Sequence, residues 1–307
     1  MSLKRVIALG FFDGVHRGHG ALLQTARRRA DVLGCQAVGL TFDPHPEALI
    51  RGIQPPLLNT LEDRRWLMTQ LYGMDEMLVL PFDDAMMRMP WQDFVETVLA
   101  EQFGAVHVVC GHDYRFGCGG QGDAQKLQAL CSSLGIGCDV VDKVEHLGGE
   151  VSSTRIRACL LDGDLETANA LLGHPHFFSG TVAHGKKLGR LLGCPTANQI
   201  LPNAVLEPVH GVYATRAHLP DGSCHIAVTN VGSRPSLDDG QHVTVESWLL
   251  DYDGNLYDRV LRVEFCKFLR PEQKFGSLDD LVAAVKHDGE SARAYFESEI
   301  GSNEAIS

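Results

Sequence analysis

The densest group of chemically useful side chains lies in residues 10–19, which read GFFDGVHRGH. His16 and His19 are three positions apart, so both imidazoles project from the same side of a helix's first turn. Gly14 and Gly18 let the backbone approach a ligand, and a helix N-terminus supplies unpaired N–H groups and a positive dipole end. The segment predicts an anion site suited to a nucleotide triphosphate, where imidazoles stabilise the charge on a transferring phosphoryl group. Surface histidines in a turn are the alternative.

A second phosphate-binding candidate lies far downstream, in residues 152–157 (SSTRIR). The hydroxyls of Ser153 and Thr154 and the guanidinium of Arg157 stand at the start of another predicted helix, where they can form charge-assisted hydrogen bonds to an anion. By itself the segment is typical of a helix cap followed by a solvated basic turn. Its occurrence together with residues 10–19 favours phosphate binding.

The second half of the chain has its own glycine-spaced block, residues 180–198 (GTVAHGKKLGRLLGCPTAN). The cations of this block are Lys186, Lys187 and Arg190. The pattern is not that of a Walker A loop, but the N–H groups of a glycine-rich loop can still wrap phosphates. Thr196 and Asn198 offer neutral oxygen ligands for Mg²⁺ beside a triphosphate. A basic hairpin loop with a Pro-Thr turn is the alternative.

One carboxylate in the second half is a candidate general base. Glu246 lies in a predicted strand, TVESWL, whose apolar residues predict one buried face. A carboxylate in such a strand is costly unless it has a partner or a task, and phosphoryl transfer to an alcohol benefits from a base. A glutamate that faces water on an edge strand is the alternative.

The glycine run at residues 117–122 (GCGGQG) matches the spacing of a dinucleotide-binding fingerprint. That fingerprint requires the glycines to begin where a strand ends, whereas residues 113–116 intervene here. We therefore predict a loop over the site, and we do not expect an NAD-dependent oxidoreductase.

The elements that must position these groups follow an α/β pattern in the first half. Short apolar runs alternate with amphipathic segments, which predicts a parallel sheet with helices on both faces. The predicted strands are 6–10, 37–42, 77–81, 105–111 and 138–141, and the predicted helices are 20–33, 61–72, 91–103 and 124–134. Sheets of this kind bind ligands at the carboxyl ends of their strands.

The pattern changes after about residue 175. Helices are predicted at 153–160 and 165–172, and residues 178–268 are strand-like, with strands at 212–219, 225–231, 243–251 and 260–268. A Pro-Asp-Gly-Ser turn at 220–223 predicts a hairpin, and a last helix at 278–299 has Ser277 as its N-cap. We predict two domains, an α/β domain at 1–175 and a small β-barrel-like domain with a terminal helix at 176–307.

The charge, the cysteine spacing and the apolar runs of the chain argue against several classes of protein. The chain has 307 residues and a formal net charge of -12, which argues against a nucleic-acid footprint. Its nine cysteines show no C-x-x-C spacing, so we expect neither a zinc ribbon nor a disulfide framework but a reduced compartment. The N-terminus resembles a first strand and not a signal peptide. No apolar run approaches the roughly 20 residues of a membrane span, which predicts a soluble, cytoplasmic protein without a membrane partner.

The first half resembles a known family at four segments. Residues 10–19, 41–46 (TFDPHP), 111–117 (GHDYRFG) and 152–157 are similar to the FMN adenylyltransferase module of bacterial bifunctional FAD synthetases. The resemblance implies a Rossmann-like nucleotidyltransferase domain that binds ATP through Phe12, Gly14, His16, His19, Ser153, Thr154 and Arg157. It places His45 and Asp113 near nucleotide or flavin. The attacking FMN phosphate is already an anion, so we expect positioning and charge stabilisation without a general base.

The second half resembles the riboflavin kinase module. The similar segments are 180–198, 211–213 (GVY), 230–235 (NVGSRP), 245–246, 256–257 and 269–275 (LRPEQKF). The resemblance implies a six-stranded Greek-key β-barrel with a C-terminal helix, Thr196 and Asn198 as ligands of Mg²⁺ at the ATP end, Glu246 as base and Arg270 near the flavin. It implies nucleotide binding by Gly185, Gly189, Arg190 and Asn198. Ser236, Trp248 and Asp258 stand where the family usually has Thr, His and Gly.

Together the two resemblances imply one enzyme with two activities: ATP-dependent phosphorylation of riboflavin to FMN, and transfer of AMP from ATP to FMN to give FAD and pyrophosphate. A monofunctional adenylyltransferase with an inactive kinase-like domain is one alternative. A flavin-binding regulator without turnover is another. The oligomeric state does not follow from these patterns.

Overall fold

The computed structural model describes residues 3–184, 194–235 and 241–304. Contacts divide the chain into two compact units, Met1–Ser153 and Thr154–Ser307. Among the described residues, none of the helices is both long and apolar enough to cross a membrane.

The first unit is built on a parallel five-stranded sheet. Its strands, with two short hairpins, are β1 Arg5–Leu9, β2 Gln36–Asp43, β3 Glu76–Pro81, β4 Ala105–Gly111, β5 Arg115–Phe116, β6 Gly122–Asp123, β7 Gly137–Val141, β8 Glu145–His146 and β9 Gly149–Glu150. The sheet has the order β3-β2-β1-β4-β7. From β1 the chain first moves outward to β2 and β3, and then returns to place β4 on the other side of β1. Such a switch point opens a crevice at the carboxyl ends of the strands, here after Leu9 and Gly111.

Helices cover this sheet, as the alternating pattern predicted. They are α1 Arg17–Leu33, α2 Pro46–Arg51, α3 Leu61–Trp66, α4 Asp84–Arg88, α5 Trp91–Asp93 and α6 Ala124–Ser133. Helices α3 and α5 continue as the π-helical segments Leu67–Leu71 and Phe94–Gln102. The central strand β1 is apolar on both faces, and Val6, Ile7 and Ala8 are fully buried, which is typical of a strand covered on both sides.

The second unit contains six antiparallel strands and a long terminal helix. After α7 Ser153–Leu161 and α8 Leu165–Leu172 come β10 His176–Thr181, β11 Thr196–Ile200, β12 Gly211–His218, β13 Cys224–Pro235, β14 Gln241–Leu249, β15 Val260–Pro271 and α9 Leu278–Glu304. The order is β10-β15-β12-β13-β14-β11, and the run β15-β12-β13-β14 is a Greek key. Ser277 Oγ accepts a hydrogen bond from the Asp280 N–H at 3.2 Å, which confirms the predicted N-cap of the last helix.

The antiparallel sheet curls until its two edges meet. The Ala183 N–H, just beyond β10, donates to the Asn198 carbonyl of β11 at 2.7 Å. Gln199 Nε2, fully buried, donates to the carbonyls of Gly180 and Leu261 at 2.7 Å each. These contacts join the edge strands, so the predicted six-stranded barrel is confirmed.

The boundary between the two compact units follows Ser153, whereas the predicted boundary between the functional domains follows residue 175. Apart from Ser153, helices α7 and α8 belong to the second unit, where the Asn169 side chain donates to the Phe265 carbonyl at 2.9 Å and Glu166 pairs with Lys267. The division into 1–175 and 176–307 concerns what each activity requires, and it stays a prediction.

Candidate active sites

The turn that joins β1 to α1 has an uncommon backbone conformation. Phe12, Gly14 and Val15 have positive φ values of 59°, 80° and 42°. Residues other than glycine rarely adopt this conformation, and β-branched residues adopt it least. Phe12 and Val15 are fully buried, so packing maintains the turn against its local preference. The turn places His16 at the N-cap of α1.

His16 and His19 lie side by side at the start of α1. His16 Nδ1 accepts a hydrogen bond from the backbone N–H of His19 at 3.2 Å, so in the neutral form of His16 the proton is on Nε2. The two rings stack with their centroids 3.7 Å apart and their planes 12° apart. Both residues line one cavity. The spacing of three positions therefore does bring the two imidazoles together.

The His19 side chain is a neutral group at this helix end. Burial lowers the pKa of His19 well below its ordinary value, and His16 and then Arg64 lower it further. Its Nδ1 is buried and has no hydrogen-bond partner among the described residues. A neutral imidazole can donate a hydrogen bond to a phosphate, and a nearby anion would favour its protonated form. His19 can therefore respond to the charge that a phosphate brings.

The histidine pair lines a cavity of about 890 Å³ at the carboxyl edge of the sheet. This volume is within the range of small-molecule and cofactor sites, about 300–1,000 Å³. Much of the wall is apolar and aromatic, with Phe42, Phe82, Met86, Met89, Tyr114 and Phe116. Asp113 and residues 117–120 also line it. The glycine run thus lies at the site as a loop between β5 and β6, as predicted, and not as a strand-to-helix fingerprint.

Of the other residues predicted for the first site, some line the cavity and some do not. Ser153 lines it, and its Oγ donates to the Asp13 carbonyl at 2.9 Å. Thr154 and Arg157 follow in the first two turns of α7, within the second unit. His45 caps α2, and its ring meets the Phe11 ring edge-on at 4.1 Å.

A buried charge supports the site, and the sequence analysis did not single it out. Arg64 on α3 has no exposed area. Its Nη1 donates to the Phe11 carbonyl at 2.8 Å and to Thr41 Oγ1 at 3.2 Å, and its Nη2 lies 3.8 Å from Asp13 Oδ1. Burial lowers the pKa of Arg64 to about 10, which leaves the guanidinium charged at neutral pH.

In the second unit, Glu246 lies on β14 between two asparagines. It is paired in register with Asn198 of β11 and Asn230 of β13. Thr244 Oγ1 donates to Glu246 Oε1 at 3.3 Å. The flanking residues Val243, Val245, Ser247 and Leu249 point the other way and are buried. The predicted buried face is therefore present, and Glu246 lies on the opposite, half-buried face among hydrogen-bonding groups.

The residues proposed for Mg²⁺ lie on β11, next to Glu246. Thr196 lines a second cavity of about 390 Å³, together with Tyr252 and Tyr257. Asn198 Nδ2 donates to the Thr196 carbonyl at 3.3 Å, and Asn198 Oδ1 is buried with no hydrogen-bond partner among the described residues. An amide oxygen of this kind is a suitable ligand for Mg²⁺. Gly185, Gly189 and Arg190, with Lys186 and Lys187, lie outside the described residues.

Arg270, predicted near the flavin, has a structural partner. Its Nε and Nη2 donate to the two carboxylate oxygens of Asp288 at 2.9 and 2.7 Å. Asp288 lies on α9 and is only 4% exposed. The Arg270 guanidinium also lies over the ring of Phe275, 5.6 Å from its centroid. This bidentate pair anchors α9 to β15.

Two departures from the family pattern have local explanations. A Cβ added at Gly289 of α9 would lie 3.0 Å from the Trp248 ring, so the tryptophan packs under the terminal helix. Asp258, in place of a glycine, keeps a positive φ of 61°, and its carboxylate lies 3.8 Å from His184 Nε2. Ser236 lies outside the described residues.

Comparison with known proteins gives these sites a family. Residues 2–155 match the model of FAD synthetase, and residues 172–296 match the model of riboflavin kinase. The chain is 36% identical to the bifunctional riboflavin kinase/FMN adenylyltransferase of Listeria monocytogenes, over 96% of this chain and 93% of the relative. It is 37% identical to the protein of the same description from Pseudomonas fluorescens, over 94% of this chain and 92% of the relative.

The fold of the chain is similar to that of a solved structure. A crystal structure titled as a macrolide-efflux protein from Streptococcus pneumoniae has a TM-score of 0.83 and 29% identity, and 95% of each chain is covered. The matches to both family models support the bifunctional enzyme over an inactive kinase-like domain or a flavin-binding regulator. The chain belongs to the bifunctional riboflavin kinase/FMN adenylyltransferase family, whose members phosphorylate riboflavin to FMN and convert FMN to FAD at the expense of ATP.

Proposed function

We propose that the cavity of the first unit is the adenylyl-transfer site, with the ATP phosphates against His16, His19 and Ser153. The observation that carries this proposal is the stacked histidine pair at the N-terminus of α1, which lines a cavity of about 890 Å³ at the switch point of a parallel sheet. Phe12 and Gly14 shape the turn before the pair, and phosphate binding by Thr154 and Arg157 stays a prediction from the sequence.

In this proposal, an oxygen of the FMN phosphate attacks the α-phosphorus of ATP and pyrophosphate leaves. Negative charge accumulates on the α-phosphate oxygens during the transfer, and donors fixed in place before the reaction stabilise it. His16 can donate from Nε2, and His19 is a neutral imidazole that a phosphate anion would bring closer to protonation. The attacking phosphate is ionised at neutral pH, so proton removal is not required of the protein.

The apolar and aromatic wall of the same cavity is suited to the flavin ring system. Asp113 lines this cavity and would contact the flavin directly. His45 would act through Phe11, since its ring is packed against that side chain at 4.1 Å. Sites for flat, mostly apolar ring systems are typically lined by apolar and aromatic side chains, with polar groups that fix the orientation of the ring.

For the kinase, we propose that Glu246 accepts the proton of the riboflavin 5′-hydroxyl as that oxygen attacks the γ-phosphorus of ATP and ADP leaves. The carboxylate is half-buried between Asn198 and Asn230, which fix its surroundings. Thr196 and Asn198 would hold Mg²⁺, because Asn198 Oδ1 is an unpartnered oxygen among the described residues. When bound with ATP, Mg²⁺ neutralises phosphate charge. Gly185, Gly189 and Arg190 would bind the nucleotide, and Arg270 would lie near the flavin while it anchors α9.

Substituting His19 tests the first assignment. In full-length His19→Ala, we expect FAD formation from FMN to fall by about 10²–10³, the usual cost of losing one donor to developing charge. FMN formation from riboflavin by the same sample should be unchanged, which serves as the internal control for folding and concentration. Chromatographic separation of the flavins measures both rates. Equal loss of both products, or undiminished FAD formation, would contradict the assignment.

A further inference from the structure

One buried side chain, that of Arg64, contacts the turn that precedes the histidine pair. Arg64 is the largest fully buried side chain of the chain's described part. Its guanidinium lies 4.4 Å from the centroid of the Phe11 ring, and Nη1 donates to the Phe11 carbonyl at 2.8 Å. Nη2 is 3.8 Å from the carboxylate of Asp13. Three of its interactions thus fall on residues 11–13, in the turn that leads to His16, the N-cap of α1.

The hydrogen bonds around Arg64 also connect this turn to its neighbours. Thr41 Oγ1 accepts from Arg64 Nη1 at 3.2 Å and donates to the Phe11 carbonyl at 2.8 Å. Asp13 Oδ1 accepts from the Leu58 N–H at 2.8 Å, and the Asp13 carbonyl accepts from Ser153 Oγ at 2.9 Å. The same few atoms therefore locate both the histidine pair and Ser153.

A buried arginine can hold hydrogen-bond acceptors in an arrangement that neither an apolar side chain nor lysine can reproduce. Burying a charge is costly, and an apolar side chain of similar size would often serve the fold as well. The guanidinium, in contrast, can hold several acceptors in one fixed plane, which lysine cannot do. Here two of the groups that it contacts, the Phe11 carbonyl and the Asp13 carboxylate, belong to a turn whose Phe12 and Val15 adopt positive φ values of 59° and 42°. Arg64 thus maintains a conformation that the turn does not favour by itself.

Arg64 also acts on His19 through its charge. Together with burial and with His16, the Arg64 guanidinium holds the pKa of His19 well below its ordinary range. Removing that positive charge would raise the pKa of His19, because a like charge no longer opposes protonation. Arg64 is not one of the residues that line the cavity, so its influence on the reaction passes through the turn and the histidine.

We propose that Arg64 is a positioning residue for adenylyl transfer, which fixes His16, His19 and Ser153 through residues 11–13. This proposal rests on the proposed role of the histidine pair. It differs from a purely structural role because it predicts a loss of turnover that depends on His19.

The test uses full-length Arg64→Lys and Arg64→Met, with Arg65→Met as the matched control, since Arg65 is the next residue of α3 and is exposed. We expect kcat for FAD formation from FMN to fall by about 10²-fold in Arg64→Met, the size of effect that follows a 1 Å misplacement. Arg64→Lys should recover only part of that loss. The KM values for ATP and FMN should change much less than kcat. FMN formation from riboflavin, and all rates of Arg65→Met, should match the unsubstituted protein.

A double-mutant cycle with His19→Ala separates this proposal from the proposed function. If Arg64 acts through His19, Arg64→Lys combined with His19→Ala should lose little more than His19→Ala alone, since residues that act as a unit are not additive. Fully additive losses, or an unchanged kcat in Arg64→Lys, would overturn the positioning role. If His19→Ala alone kept full FAD formation, the proposed role of the histidine pair would be wrong instead. Where Arg64→Met does not fold, Arg64→Lys and the cycle decide.

The pH profile gives a readout that a structural role would not move. In Arg64→Met the inflection that His19 causes in the kcat profile for FAD formation should shift to higher pH, because His19 becomes easier to protonate. Arg65→Met should keep the original profile. An inflection at the same pH in Arg64→Met and in the unsubstituted protein would contradict the electrostatic part of the proposal.

Discussion

The free energy of unfolding of the second unit should decrease at acid pH, because the unit contains a buried histidine, His176. His176 on β10 is 4% exposed, and its ring stacks on Phe265 with the centroids 5.8 Å apart. Burial, and to a smaller extent His174, lower the pKa of His176 to about 4, whereas an unfolded histidine titrates near 6.5. Between these two values the unfolded chain binds a proton that the folded chain excludes. The contribution of the neutral, buried His176 ring to the stability of the folded state is therefore fully present above pH 6.5. It is lost as the pH falls toward 4.

The size of this loss follows from the two pKa values. At pH 4 the folded state is stabilised by about 3 kcal/mol less than at pH 7, since each pKa unit corresponds to about 1.4 kcal/mol. The second unit spans Thr154–Ser307. For a unit of this size the loss corresponds to a decrease in Tm of roughly 6–12 °C.

The assay compares the free energy of unfolding at pH 7 and pH 4 in the unsubstituted protein, in His176→Phe, and in His287→Phe. The control residue His287 lies on α9 with its side chain 78% exposed. Urea unfolding can be followed by the fluorescence of Trp248 after Trp66 and Trp91 are replaced by Phe in every protein compared. The pH dependence should be smaller by about 3 kcal/mol in His176→Phe and unchanged in the control. The same pH dependence in His176→Phe as in the unsubstituted protein would refute the reasoning.

Two further substitutions address the second unit. Glu246→Gln should reduce FMN formation by about 10²–10⁴, the contribution of a positioned general base, while ATP affinity and FAD formation from supplied FMN stay unchanged; a loss of ATP affinity alone would make Glu246 a ligand and not a base. Arg270→Met should lower the free energy of unfolding by about 3–5 kcal/mol, because it leaves the Asp288 carboxylate buried without its partner. An equilibrium denaturation curve of Arg270→Met that coincides with that of the unsubstituted protein would show that the pair does not anchor α9.

Much of the fold could be predicted because local patterns were strong. The five parallel strands and four of the six barrel strands, β12 to β15, lie within a few residues of their predicted positions, since apolar runs and alternating runs mark buried strands directly. No bounds were predicted for β10 and β11. The π-helical ends of α3 and α5 could not be foreseen, because apolar spacing over five to nine residues does not separate a π turn from an α turn. Closure of the barrel depends on Ala183 and Gln199, which reach strands distant in the sequence.

The candidate sites also contain both kinds of feature: those that local sequence patterns predict, and those that depend on residues distant in the sequence. The stacking of His16 and His19 follows from their spacing on a helix, so local geometry was enough. The support from Arg64 depends on the Phe11 carbonyl, 53 positions away, which local patterns do not reveal. A signal was nevertheless present, because Arg64 lies three and four positions before the buried Leu67 and Met68 of the π-helical segment that continues α3. A charge on such an apolar stripe requires a partner. The partner of Arg270 could not be inferred in the same way.

We propose that two separate sites act in sequence, with kinase chemistry at Glu246 and AMP transfer at His19. Full-length His19→Ala and Glu246→Gln, each incubated with riboflavin, ATP and Mg²⁺, should form little FAD, the first accumulating FMN and the second leaving riboflavin unchanged. A mixture of the two proteins should produce FAD from riboflavin, because FMN made by one can be adenylylated by the other. A mixture that forms no more FAD than the separate proteins, or a single variant that loses both activities, would contradict the account.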